Sequence, residues 1–193
     1  MCNLLTLQGH FEEAKPSSST GTARFGRAEM IIRKDQAPAD RESAVHESLR
    51  YSEAGGLTQF GAYAETLHPG ARSSDRHWHE EEDELLYVLS GEMTVIEEDG
   101  SHTLHPGDAA CWPAGVANAH QVVNRSGTPC TFLIFGTRMA HDVTHYPDVG
   151  KVLYDEDGTW RLHRTDDGSL IKGGKIEQVR PLTWWVSKAN QAP

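Results

Sequence analysis

Cationic side chains are scarce in this sequence. Its 193 residues carry 18 Lys and Arg against 28 Asp and Glu, a formal net charge of −10. A surface of that sign repels phosphate backbones, so nucleic acid is not an expected partner. Long apolar runs are missing too. Nothing approaches the roughly 20 residues of a membrane helix, so no membrane partner is expected. The opening stretch contains Leu4, Leu5 and Leu7 but no basic region before them. It does not read as a secretory signal, and a cytoplasmic protein is expected. Cysteine is sparse and odd in number, at Cys2, Cys111 and Cys130. With no C-x-x-C pair there is no cysteine zinc site or redox motif, and reduced thiols are expected. Cys111 and Cys130 lie in apolar, strand-like segments, where a small buried hydrophobe is the usual role. Glycine-rich nucleotide loops and the G-x-S-x-G elbow are also lacking, and no solenoid repeat is present.

What is present is a series of short alternating segments. Residues 11–28 are rich in Ser, Thr, Gly and charge and read as an irregular N-terminal arm, 1–28. Around KDQAPADRESAVHESLRYSEAGG the weak apolar spacing suggests a short helix, ended by Gly55-Gly56. From Leu57 the texture becomes that of strands. LTQFGAYAETL alternates, and ELLYVLSGEMTVIEEDGSHTLHPGDAACWPAG is a meander punctuated at Ser90-Gly91, Asp99-Gly100 and Pro106-Gly107. Two more strands flank NRSGTP. Short strands with Gly- and Pro-marked turns predict an all-β barrel or sandwich over 29–138, with its core at 57–137. A C-terminal extension, 139–193, then begins with a hairpin closed at Asp157-Gly158, turns at Asp167-Gly168, and ends in a tail bearing Trp184 and Trp185.

Eleven histidines are many for this length. His77 and His79 flank Trp78. At i and i+2 of a strand both imidazoles reach one point, and Trp78 points away. Glu84 heads the next strand, on the face of Leu86 and Val88. A carboxylate on an apolar inward face needs a partner, and a metal held by two histidines supplies one. Glu80, Glu81, Glu82 and Asp83 read as a solvated loop. Further on, Pro113 and Gly115 set a turn before His120, and Asn124 follows on the same face. Three neutral imidazoles and one carboxylate suit a divalent transition metal, Fe, Mn, Co, Ni or Zn, at a site of net charge about +1. His68, His102 and His105 read as exposed. Tyr87 and Trp112 read as barrel packing, Tyr63 and Gln59 as candidates for the interior, and Arg72 and Arg76 as surface-paired arginines beside the mouth loop.

The run from Gly70 to Gly91, G-x₆-HWH-x₄-E-x₆-G, resembles the first cupin motif. The run from Gly107 to Asn124, G-x₅-P-x-G-x₄-H-x₃-N, resembles the second. The first has one extra residue before His77. The second has two extra after Gly115, so the usual histidine position falls on Asn118. His120 keeps the usual spacing to Asn124, and an amide is a poor transition-metal ligand, so His120 is preferred. The resemblance implies a double-stranded β-helix, or jelly-roll, with a metal held by His77, His79, Glu84 and His120. It also implies a small-molecule ligand or substrate in the barrel. Oxygenase, isomerase or lyase chemistry is compatible with that ligand set. So is a sugar- or small-acid-binding protein without turnover, and so is an interaction module. A homodimer is expected, with the arm and the tryptophan tail suited to pairing.

Overall fold

The structure, a computed structural model, describes residues 30–175. The whole of the predicted arm, Cys2 with it, and the Trp184-Trp185 tail lie outside the described residues. The chain forms β1 (Ala39–Ser43), β2 (His46–Arg50), the single turn α1 (Tyr51–Ala54), β3 (Phe60–Leu67), β4 (Trp78–His79), β5 (Glu84–Ser90) and β6 (Met93–Glu97). There follow β7 (Gly100–Leu104), β8 (Ala109–Trp112), β9 (Gln121–Val123), β10 (Cys130–Thr137), β11 (His141–Tyr146), β12 (Lys151–Glu156), β13 (Thr159–Arg164) and β14 (Leu170–Lys175).

These strands make three antiparallel sheets, ordered β1-β2-β3-β10-β5-β8, β14-β13-β12-β11-β4 and β7-β6-β9. The all-β jelly-roll predicted from the sequence is the fold observed. No helix among the described residues is long and apolar enough to cross a membrane.

The core lies between the six-stranded and the three-stranded sheets. Tyr63, Leu67, Leu86, Val88, Phe132 and Ile134 meet Met93, Val95, Leu104 and Val122 there, with Trp112 at one end. Period-two alternation produces this wall. Along β3 and β10 every second residue is buried, as a sheet covered on one face requires. The large apolar ones among them, Leu67, Phe132 and Ile134, each contribute about 1.5–3 kcal/mol by leaving water. A second, smaller cluster of Tyr146, Leu153, Trp160 and Leu162 packs the sheet of β11 to β14.

Two turns show why glycine stands where it does. Asp157 and Gly158 both have positive φ, 47° and 77°, the two-residue geometry that matches strand twist in the β12–β13 hairpin. Gly91 has φ of 77°, and a Cβ there would lie 2.6 Å from the Pro129 carbonyl oxygen. The β5–β6 turn therefore excludes any side chain at that position.

The helix predicted near residues 34–56 is a correction. Most of that segment is the β1–β2 hairpin, and only Tyr51–Ala54 is helical. His46 and Ser48 are buried while Glu47 and Leu49 are not. This is strand alternation, and it is satisfied by pairing of His46 with Leu67 and Ser48 with Glu65. A hydrogen-bonded edge beside β3 outweighs the local preference, which was weak.

Candidate metal centre

Three pieces of chain bring the predicted ligands together. His77 and His120 form an isolated antiparallel bridge, with reciprocal backbone hydrogen bonds of 3.1 and 2.9 Å. His79 follows on β4, and Glu84 opens β5, with Leu86 and Val88 buried further along the same face. His77, His79 and His120 are all buried. Ligand atoms of His77, His79 and Glu84 lie within 4.8 Å of one another. His120 joins them through Glu84, its Nε2 lying 2.6 Å from Oε2. The ring centroids of His77 lie 5.2 Å from those of His79 and 4.9 Å from those of His120.

Each imidazole is held from behind. Nδ1 of His77 donates to the Asp75 carbonyl at 3.0 Å, and Nδ1 of His120 reaches the Asn118 carbonyl at 3.4 Å. Nδ1 of His79 donates to the Asp142 carboxylate at 2.7 Å. With Nδ1 engaged on His77 and His79, their Nε2 atoms are the ones left for a cation, the arrangement that fixes the tautomer of metal-ligating histidines, whereas Nε2 of His120 is engaged by Glu84, the partner an ion would replace. The donor set, three imidazoles and a carboxylate with backed rings, fits a divalent transition metal.

The charges in the cluster push against each other. Burial pulls His77 down to about 3, helped by the neighbouring imidazole of His120, so His77 is a neutral donor. Burial also opposes charge on His79, but the hydrogen bond and charge of Asp142 outweigh it and raise the ring to about 9. For Glu84 burial favours the acid form, yet the His120 hydrogen bond and the surrounding imidazoles hold it down at about 2.

Residues around the ligands complete the mount. The indole of Trp112 stacks on His120 with centroids 3.7 Å apart and planes at 7°. Glu97 Oε1 accepts from both Trp112 Nε1, at 2.6 Å, and Asn118 Nδ2, at 2.9 Å. It thereby ties down the ring that covers His120 and the residue whose carbonyl meets it. Asn118, the alternative ligand, spends its amide on Glu97 and on the Glu98 N–H. Asn124 is fully buried and clamps the loop, donating to the carbonyls of Leu67 and Thr128, both at 2.8 Å. Trp78 points away from the ligands and stacks on His145 at 4.2 Å.

Several expectations need correcting. Glu82 is buried, not solvated, and accepts the Met139 N–H at 2.9 Å. The loop folds back over the barrel end, where a backbone donor and the nearby His79 offset the cost of its burial. Glu80, Glu81 and Asp83 are exposed, as expected. Tyr87 is 41% exposed on the outward face of β5 and is no part of the interior packing. Cys111 is exposed on the outward face of β8, opposite Leu85, whereas Cys130 is buried. Gln59 precedes β3 and is exposed, while Tyr63 is buried in the interior. Arg72 is paired with Asp75 and Arg76 with Asp148 and Glu98, the surface pairing anticipated for them. His68, His102 and His105 are exposed. Asp142 and Tyr146 of β11 went unnoticed in the sequence. Asp142 bonds His79, and the Tyr146 ring stacks on His77 at 5.6 Å. Neither lies in a motif, and only the pairing of β11 with β4 reveals them.

Comparison with known proteins follows the same lines. The family model for the cupin domain matches residues 63–136. The crystal structure of a sugar phosphate isomerase of the cupin superfamily from Silicibacter pomeroyi DSS-3 is 34% identical, with a TM-score of 0.68, over 76% of this chain and 99% of that one. A protein of Acidithiobacillus ferrooxidans ATCC 23270, provisionally described as a sugar phosphate isomerase, is 31% identical with a TM-score of 0.59. It covers 65% of this chain and 81% of its own. No curated protein matches the chain.

Proposed function

The chain belongs to the cupin superfamily, and we propose that it is a metal-dependent enzyme that isomerises a small, chelating, oxygenated substrate of sugar type. The observation that carries this reading is the convergence of His77, His79, Glu84 and His120 inside the barrel, each imidazole backed at Nδ1. These four residues would hold the metal, Fe, Mn, Co, Ni or Zn. Such an ion, when bound, supplies Lewis acidity and a template for two substrate oxygens. The chain's own part is to fix the donors, to keep His77 neutral and Glu84 ionised, and to close the barrel behind them with Leu86, Val88 and Phe132. Isomerisation is favoured over oxygenase or lyase chemistry by the 34% identical relative, described as a sugar phosphate isomerase. The phosphate is a separate matter. Arg72, Arg76 and Arg138, beside the motif loops, are each tied to a carboxylate, which favours an uncharged polar end on the substrate.

The test is solvent exchange. Metal-loaded protein incubated in D₂O with aldoses and ketoses, phosphorylated and not, is expected to incorporate deuterium beside the carbonyl of one of them, followed by NMR. Tight binding of such a sugar with neither exchange nor product over a long incubation would overturn the reading.

That outcome belongs to a second reading, a sugar- or small-acid-binding cupin without turnover. One observation favours it. The buried Tyr63 donates its hydroxyl to Glu53 at 2.5 Å and is pushed up to about 12 by burial and by that carboxylate, which makes it a poor general base. Tyr87 faces outward, away from the cluster.

Under either reading the partner is a small molecule, not nucleic acid, and a second copy of this chain. The outward face of β3, β10, β5 and β8 supports the homodimer. Phe60, Ala62 and Ala64 adjoin Leu133 and Phe135, which adjoin Leu85 and Tyr87, with Cys111 opposite Leu85. None of these is charged. On a chain of net charge −10, this is a surface where two copies meet without facing like charges.

A further inference from the structure

We infer that Asp142 is a positioning residue for the metal centre, setting the tautomer and orientation of His79 from outside both motifs. The inference rests on the metal reading above. Asp142 belongs to β11, which pairs with β4 through Thr144–His79 and His145–Trp78. Its side chain has 0% exposure and lies 2.7 Å from His79 Nδ1. Oδ2 accepts from His79 and from the Thr144 hydroxyl, at 2.7 and 3.2 Å, and Oδ1 accepts the Glu81 N–H at 3.0 Å. Both oxygens therefore serve as acceptors, and one carboxylate joins the ligand His79 to the loop that leads into Glu84.

A carboxylate has no donor to offer, so His79 must carry a proton on Nδ1, which leaves Nε2 as the nitrogen a metal would take in exchange for any proton there. His77 obtains the same tautomer from a backbone carbonyl, and His120 has only a 3.4 Å carbonyl contact at Nδ1 while its Nε2 meets Glu84. His79 alone among the three is backed by a charge. That makes its imidazole the most basic donor of the set, and it brings the site's total, with Glu84, close to neutral around a divalent ion. Asn at this position keeps the shape but has one acceptor in place of two. If its oxygen keeps the Glu81 N–H, its amide group faces Nδ1, forces the proton to Nε2, and blocks the metal. If its oxygen keeps Nδ1, the Glu81 N–H is opposed by an N–H and the loop loses its anchor.

The experiment compares wild type, D142N, T144V and H79A, each stripped and titrated with Co²⁺. Wild type is expected to bind one ion and H79A to lose it. D142N is expected to bind about 10–100-fold more weakly with an altered cobalt d–d spectrum, and T144V to keep the wild-type spectrum. Unchanged affinity and spectrum in D142N, with the metal lost in H79A, would overturn the positioning role and leave the metal site standing. Full metal retention in H79A would overturn the metal site and the inference with it. A second measurement needs no substitution at 142. In zinc-loaded, ¹⁵N-histidine-labelled wild type, the His79 ring is expected to show a protonated Nδ1 with its proton far downfield. A bare Nδ1 would overturn the inference.

Discussion

The two faces of β5 carry nearly the same chemistry and meet opposite surroundings. Leu86 and Val88 point inward and are buried, whereas Leu85, Tyr87 and Leu89 point outward at 38, 41 and 45% exposure. The one inward charge, Glu84, is answered by imidazoles. An antiparallel sheet covered on one side ordinarily shows polar residues on the other. This wall does not, so hydrophobicity alone does not tell the barrel interior from its exterior. What distinguishes the inside is a cluster of imidazoles gathered around one carboxylate. What distinguishes the outside is apolar surface not yet covered by the chain itself.

The largest expected effect breaks the inside. Replacing His77 and His79 together by Ala is expected to take bound metal from one ion per chain to a trace, measured by elemental analysis of the purified protein. Retained stoichiometric metal would remove the centre. The next is a matched pair across the pleat. Leu86→Ala is expected to cost about 2–5 kcal/mol in urea unfolding, the range for emptying a packed site. Leu85→Ala is expected to cost below about 1 kcal/mol in dilute protein, because its side chain already meets water. Equal costs would erase the distinction between the faces. A smaller effect sharpens the outside. Leu85→Glu with Tyr87→Glu places charge on the apolar wall and is expected to convert a dimer to a monomer in sedimentation, with the fold retained by circular dichroism. A wild type that sediments as a monomer at all concentrations would sink the dimer.

Much of the inside was legible because it rests on spacing. The i, i+2 histidines, the glutamate at the head of an alternating strand, and the Pro and Gly turns all follow from a repeat of two and from turn chemistry. In the structure His77, His79 and Glu84 lie close together, with His120 hydrogen-bonded to Glu84. What escaped depends on pairing between strands distant in sequence. Asp142 looks like any acid until β11 lies against β4. Glu82 looks like its solvated neighbours until the loop folds onto the Met139 N–H. Tyr87 and Cys111 escaped for a different reason. In a run such as ELLYVLS both faces are apolar, so composition could not say which residues face solvent. The hairpin of β1 and β2 was hidden because the residues that define it are buried by β3 and not by one another.

The smallest effect concerns an acid on the outside, near the end of the strand that holds Asp142. Asp148 takes a two-pronged bond from Arg76, Nε to Oδ2 at 2.9 Å and Nη2 to Oδ1 at 3.0 Å, and Arg76 also meets Glu98. The guanidinium hydrogen bonds hold the Asp148 carboxyl below its ordinary value, against a smaller opposing effect of burial. A depressed carboxyl contributes stability above its unfolded value and loses it as the pH falls toward the folded one. The contribution is small, since the Asp148 side chain is 50% exposed and water and salt screen it. D148N is therefore expected to cost below about 1 kcal/mol at neutral pH. The difference from wild type should shrink in about 1 M salt, where the screening length is near 3 Å. It should close in acid, once the wild-type carboxyl is itself protonated. The same Asp-to-Asn change at 142 is expected to be read in metal affinity and not to be relieved by salt, because no solvent reaches that side chain. A D148N loss that resists salt and persists in acid would mean that Asp148 acts by shape and not by charge, and that the outer wall is more tightly built than its exposure indicates.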